Sequence, residues 1–124
     1  MSNGGWLEPR WDTLVQRKHT RANQRDWDES RVVARTGEEA QPAQYDPHLS
    51  DEELQAMEMG CVRDQGRLIR QTRVKRMYFR QMDREIGASL GQRTAFVYVE
   101  YQIGGSVHGR PITEEELRRK EAPL

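Results

Sequence analysis

From Thr94 to Ile103 the chain reads TAFVYVEYQI, and its bulky residues alternate in facing. Val97, Val99, Tyr101 and Ile103 point one way, and Phe96, Tyr98, Glu100 and Gln102 the other. β-branched and aromatic residues dominate the run, which with this period of two marks a strand. Gly104-Gly105 is a two-residue hairpin signal. SVHGRPI returns as a second strand, with Pro111 suited to an edge because it has no amide hydrogen. The spacing therefore predicts a two-stranded antiparallel hairpin over about 94–112. TEEELRRKE then opens a short helix: Thr113 caps it, Glu116 completes a capping box, and Arg118 to Lys120 sit at the favourable C-terminal end. A lone hairpin is marginal in water, so this one must pack on another element or gain strands from another chain.

The segment upstream offers a helix to pack on. SDEEL places Ser50 as N-cap with Glu53 three residues on, a capping box, and Asp51, Glu52 and Glu53 complement the helix dipole. No proline follows until Pro111, and Gly87 and Gly91 are plausible stops. This predicts one long amphipathic helix over about 51–88. Counted at helical period, Leu54, Met57, Cys61, Leu68, Phe79, Met82 and Ile86 form a core stripe, interrupted by Thr72 and Lys75. Arg63, Arg70, Arg73, Arg76, Arg80 and Arg84 fall broadly opposite. Met59, Val62, Ile69, Val74 and Met77 lie off the stripe and offer a second contact surface. Gly60 and Gly66 each weaken such a helix by about 1 kcal/mol against alanine. Roughly 37 helical residues would span about 55 Å, the length of a strut or bundle member.

Residues 1–49 read as an extended arm and linker with short helices at most. Trp6, Trp11 and Trp27 stand there in polar surroundings, as large anchors suited to docking on a partner. Residues 50–124 hold the long helix, hairpin and C-terminal helix. The predicted fold class is thus α+β.

Composition sharpens this. Apolar residues make up 35% and charged residues 32%, with mean hydropathy −1.00. A single domain of this length and polarity buries a small core and draws part of its ordering energy from a partner or from self-association. Net charge is zero, which counts against a general polyanion binder. The charge is unevenly placed: seven acids and no base over Glu38–Glu58, then nine bases and three acids over Cys61–Arg93. Arginine outnumbers lysine 17 to 3, a bias that suits bidentate interface contacts and that a GC-rich genome also produces.

No motif carries catalysis or metal binding. Cys61 is the one cysteine, so no intrachain disulfide forms, and its place on the apolar stripe is that of a small hydrophobe. His19, His48 and His108 are scattered without zinc spacing, and YDPHLSDEE lacks the spacing and glycine of a calcium loop. Ser106 and His108 have no accompanying acid or nucleophile elbow. IGGSVHG is followed by a strand, whereas a phosphate loop needs a helix start. No cofactor is implied. No basic-then-apolar leader and no apolar run of about 20 residues is visible, which predicts a soluble protein of a reducing, cytoplasmic-type compartment or a virion.

The expected function is that of a non-enzymatic structural or assembly subunit of a larger complex, a homo- or hetero-oligomer whose partners are other protein subunits. Virion components (capsid, connector or tail) are one setting for such parts, by analogy of architecture alone. The alternative is a nucleic-acid-binding or regulatory protein that lays the Arg63–Arg84 face on successive phosphates, with Tyr78 and Phe79 available for stacking.

Overall fold

The computed structural model describes residues 5–12, 43–89 and 92–121. Their elements in chain order are β1 (Arg10–Trp11), β2 (Gln44–Tyr45), α1 (Asp51–Gly60), β3 (Arg67–Gln71), β4 (Lys75–Gln81), β5 (Gly87–Ser89), β6 (Gln92–Thr94), β7 (Phe96–Gln102), β8 (Ser106–Ile112) and α2 (Glu114–Glu121). A π-helical turn, Cys61–Gln65, joins α1 to β3. The described residues form a mostly β structure of two sheets. The larger runs β1-β8-β7-β4-β3, and the smaller β2-β5-β6.

There is no helix over 51–88. Its start stands: Ser50 Oγ accepts from the Glu53 amide at 3.1 Å, and the Glu53 side chain accepts from the Ser50 amide at 3.1 Å. After Gly60 the helix widens into the π turn, and Gly66 takes up extended backbone at φ −99° and ψ 155°. A side chain at Gly66 would meet the Cys61 carbonyl oxygen at 2.6 Å, so only glycine permits this reversal. Thr72 then turns the chain again. Its Oγ1 accepts from the Val74 and Lys75 amides at 3.2 and 3.1 Å, and its own amide donates to the Lys75 carbonyl at 2.8 Å. The two residues that interrupted the helical stripe, Thr72 and Lys75, are the ends of a β turn.

The predicted core stripe is consequently spread along the chain. Leu54 and Met57 lie on α1, Cys61 on the π turn, Leu68 on β3 and Phe79 on β4, while Met82 and Ile86 fall between β4 and β5. All but Leu68 and the partly buried Phe79 and Met82 are buried, and Leu68 is 45% exposed. The misreading has a physical cause. The central sheet is covered on both faces, so β4 carries large side chains on each side and shows no polar alternation. Arg76, Tyr78 and Arg80 share one face, and Met77 and Phe79 the other.

The hairpin of β7 and β8 is likewise not a separate two-stranded unit. Register Phe96↔Ile112 through Tyr101↔Val107 pairs the two strands antiparallel at the centre of the five-stranded sheet. Their connection holds a turn, with the Gly105 amide donating to the Gln102 carbonyl at 2.8 Å and Gly105 at φ 101°. On one face Val97, Val99, Tyr101 and Val107 form the main core with Trp6, Tyr45, Leu54, Met57, Met59, Cys61 and Ile86. On the other face Met77, Tyr98 and Ile112 are closed over by Leu117 of α2. The Thr113 capping box that starts α2 is formed, with Glu116 reaching back to the Thr113 amide at 3.0 Å. The small sheet leans on β8, where a side chain on Gly87 would come within 2.2 Å of Pro111 Cγ.

Candidate functional site

The tryptophans of the arm meet different fates. Trp6 is buried in the main core, edge-on to Tyr101 at 5.1 Å between ring centroids, with the Arg76 guanidinium 4.3 Å above its ring. Trp11 lies on β1, parallel to β8, and its Nε1 donates to Glu58 Oε1 at 2.8 Å. Trp27 lies outside the described residues. Trp6 and Trp11 thus anchor the segment 5–12 to its own sheet.

The arginines do not share one face. Arg76 and Arg80 point to the main-core side of β4, where Arg80 Nη1 donates to the Met57 carbonyl at 3.4 Å. Arg70, opposite Met77, lies on the α2 side. Arg84 is 3.7 Å from Glu53, while Arg63 and Arg73 are exposed on the π turn and the β3–β4 turn. The phosphate-tracking reading needed one continuous basic face, and the sheet divides these residues between its two sides.

Two polar clusters lie inside the fold. In the first, Glu58 is fully buried on α1, and its carboxyl oxygens accept from Tyr45 Oη at 2.5 Å and from Trp11 Nε1 at 2.8 Å. It joins the β2 strand and the β1 strand to one helix residue. Burial, then the adjacent Glu58, push the Tyr45 hydroxyl well above its ordinary range. Burial likewise raises the Cys61 thiol to about 12, against the opposing pull of Arg80.

The second cluster lies between β7, β8 and α2. Tyr98 Oη donates to Glu100 Oε2 at 2.7 Å, and His108 Nε2 and Lys75 Nζ each stand 3.7 Å from that carboxyl group. Lys120 Nζ lies 4.5 Å from the Tyr98 ring centroid. Arg110 Nη1 donates to Glu116 Oε2 at 3.2 Å, and Ser89 Oγ to Glu116 Oε1 at 2.7 Å. Burial, then Glu100, raise the Tyr98 hydroxyl, and burial, then Arg110, lower the Lys120 ammonium. The contacts of Glu116 with Arg110 and Ser89 pin α2 to β8 and β5. Among the described residues no group of three or more His, Cys, Asp or Glu side chains is arranged to hold a metal ion. No described helix is long and apolar enough to cross a membrane.

A hollow of about 390 Å³ forms a groove beside α1, lined by Leu49, Met57, Met82 and Ile86 together with Glu53, Arg80, Asp83 and Arg84. It is open and holds a balanced set of charges.

The outer rim of the large sheet is chemically more distinctive. Leu7 and Val74 are 58% and 57% exposed, and both flank Ile103. The Leu7 amide donates to the Ile103 carbonyl at 3.0 Å, and the Ile103 amide donates to the Val74 carbonyl at 2.8 Å. Arg10 Nη2 donates to the neighbouring Gly104 carbonyl at 2.9 Å. An apolar cap thus sits at the turn end of the sheet, edged by Arg10 and Arg73. From it β3 runs as the last strand, exposing Leu68, and no described strand pairs with its outer side. Sequence reasoning passed over Leu7, and took Val74 for part of a second contact surface on a long helix rather than for a residue of a turn. The signal was present in Val74, a β-branched residue between Arg73 and Lys75 just after a turn-forming threonine.

No family model, no curated protein and no solved structure matches this chain.

Proposed function

We propose that this chain is a non-enzymatic assembly subunit that docks on neighbouring protein chains through the rim formed by its hairpin ends and β3. The observation that carries the reading is the apolar cap of Leu7, Ile103 and Val74. Bulky aliphatic groups held rigidly by backbone hydrogen bonds and edged with arginine have the composition of a protein–protein contact. Water-exposed apolar side chains here cost the isolated chain and are recovered when a partner covers them. The virion setting rested on an arm, a strut and a hairpin as separate parts. With the start of the arm and the hairpin in one sheet, that setting loses its argument, and the proposal is the general one.

The test is the mass and composition of the native particle carrying the chain, purified at physiological salt. Recovery in a stoichiometric protein particle, lost on joint Leu7→Ser and Val74→Ser substitution, is expected. Recovery as a free monomer, or with nucleic acid released at high salt, overturns the reading.

A further inference from the structure

We infer that the open edge of β3 receives an extended acidic segment of a partner protein, which adds as a sixth strand to the large sheet. The inference rests on the assembly reading and names the chemistry of the partner. β3 spans Arg67–Gln71 and, among the described residues, pairs on one side only, with β4. An edge strand offers alternate outward amides and carbonyls to any extended chain that reaches it. The Thr72 amide bonds inward to Lys75, so by the alternation of an antiparallel ladder the backbone of Gln71 faces outward.

The side chains select the partner. From Arg63 to Arg73, inclusive, there are four arginines and one acid, Asp64. Arg67 and Arg70, opposite Phe79 and Met77, share the α2 side of the sheet, whereas Leu68, opposite Tyr78, lies on the other. An incoming strand that alternates acidic and apolar residues sets its acids beside Arg67 and Arg70 and its apolar residues beside Leu68. Opposite-charge and apolar cross-strand pairs each contribute a few tenths to about 1 kcal/mol. Arg67 is already shaped for such a contact: its guanidinium lies 4.4 Å over the Phe79 ring and 3.0 Å from Glu121 at the end of α2.

A second copy fits less well. Pairing β3 with itself brings the arginines of both copies to one edge, and the irregular register between Leu68 and Arg70 breaks the flat ladder that self-pairing needs. Of the chain's acidic run, Asp51, Glu52, Glu53 and Glu58 are committed to α1 and cannot serve as the strand in another copy.

The experiment uses the full ¹⁵N-labelled chain and a capped synthetic peptide alternating glutamate with valine. Saturable binding is expected, with amide shifts concentrated over Arg67–Val74. Joint Arg67→Glu and Arg70→Glu substitution weakens it at least tenfold. A peptide of the same sequence, N-methylated along one edge, binds at least tenfold more weakly at unchanged charge. Equal binding by the N-methylated peptide, shifts elsewhere on the surface, or no binding at millimolar peptide overturns the inference. So does protection of the outward Gln71 amide in the isolated chain, which assigns the edge to the chain's own remaining residues. If the Arg67→Glu, Arg70→Glu chain still enters its native particle while the Leu7→Ser, Val74→Ser chain does not, strand addition falls and the assembly reading stands.

Discussion

Replacing Tyr45 with phenylalanine removes one oxygen from the interior and leaves the ring in place. That oxygen donates to Glu58 Oε2 at 2.5 Å, and both residues are buried. A buried hydrogen bond contributes about 1 kcal/mol net, and removing the donor from an acceptor shielded from water costs about 1–3 kcal/mol. Trp11 Nε1 still serves Oε1, so the loss is one bond and not the whole cluster. The expected destabilisation is therefore about 2 kcal/mol, a large fraction of the roughly 5–15 kcal/mol that holds a domain together. With a urea m-value of about 1–1.5 kcal/mol/M, the unfolding midpoint falls by roughly 1.3–2 M. Urea titration followed by tryptophan fluorescence and circular dichroism measures it. Tyr98→Phe is the internal control: its hydroxyl meets Glu100 at 2.7 Å in a partly exposed setting and costs less, about 0.5–1 kcal/mol. A Tyr45→Phe loss below about 0.5 kcal/mol, or one no larger than that of the control, refutes the claim that Glu58 ties β1 and β2 to α1.

Other substitutions address the packing and the titrating groups. Gly109→Ala drives a methyl group to 2.5 Å from the Tyr98 carbonyl and 2.9 Å from Glu58 Oε2, and should cost roughly 2 kcal/mol or more by the same titration. Cys61, with its thiol held at about 12 against an ordinary 9.0, should resist thiol reagents at pH 8 until urea unfolds the chain. Its raised folded value means that the neutral thiol favours the fold fully below about pH 9 and that this contribution is lost as pH rises toward 12. Glu116 works in the opposite sense. Burial raises its carboxyl group, but the Thr113 amide, Arg110 and Ser89 together outweigh it and leave the group below its ordinary 4.5. Its contribution is present above that value and lost as pH falls through the folded one, so Glu116→Gln should lower stability at neutral pH and flatten the acid limb of a thermal-melt pH series.

What could be read from the sequence was local. The Ser50 and Thr113 boxes are formed because capping needs only residues three apart. The facing of Val97, Val99 and Tyr101 followed from alternation, and β7 displays it because one of its sides meets the main core and the other the smaller cluster under α2. Residues 61–81 could not be read in this way. Arginine, glutamine and methionine favour helix, and recurrence every three to four residues imitates a helical face. Tertiary pairing overrode both, through Gly66, the Thr72 turn and seven registered pairs between β4 and β7. The informative residues were the ones that broke the stripe. Of the candidate docking residues, Trp6 and Trp11 are spent on the chain's own core. The exposed rim of Leu7, Leu68 and Val74 emerges only once strands distant in sequence lie side by side.

Amide hydrogen exchange over residues 67–74 of the full chain, measured inside its native particle and again after release, tests the docking account most directly. The account predicts slow exchange at the outward amide of Gln71 in the particle, and fast exchange there once the chain is free. Equal exchange in the two states contradicts it.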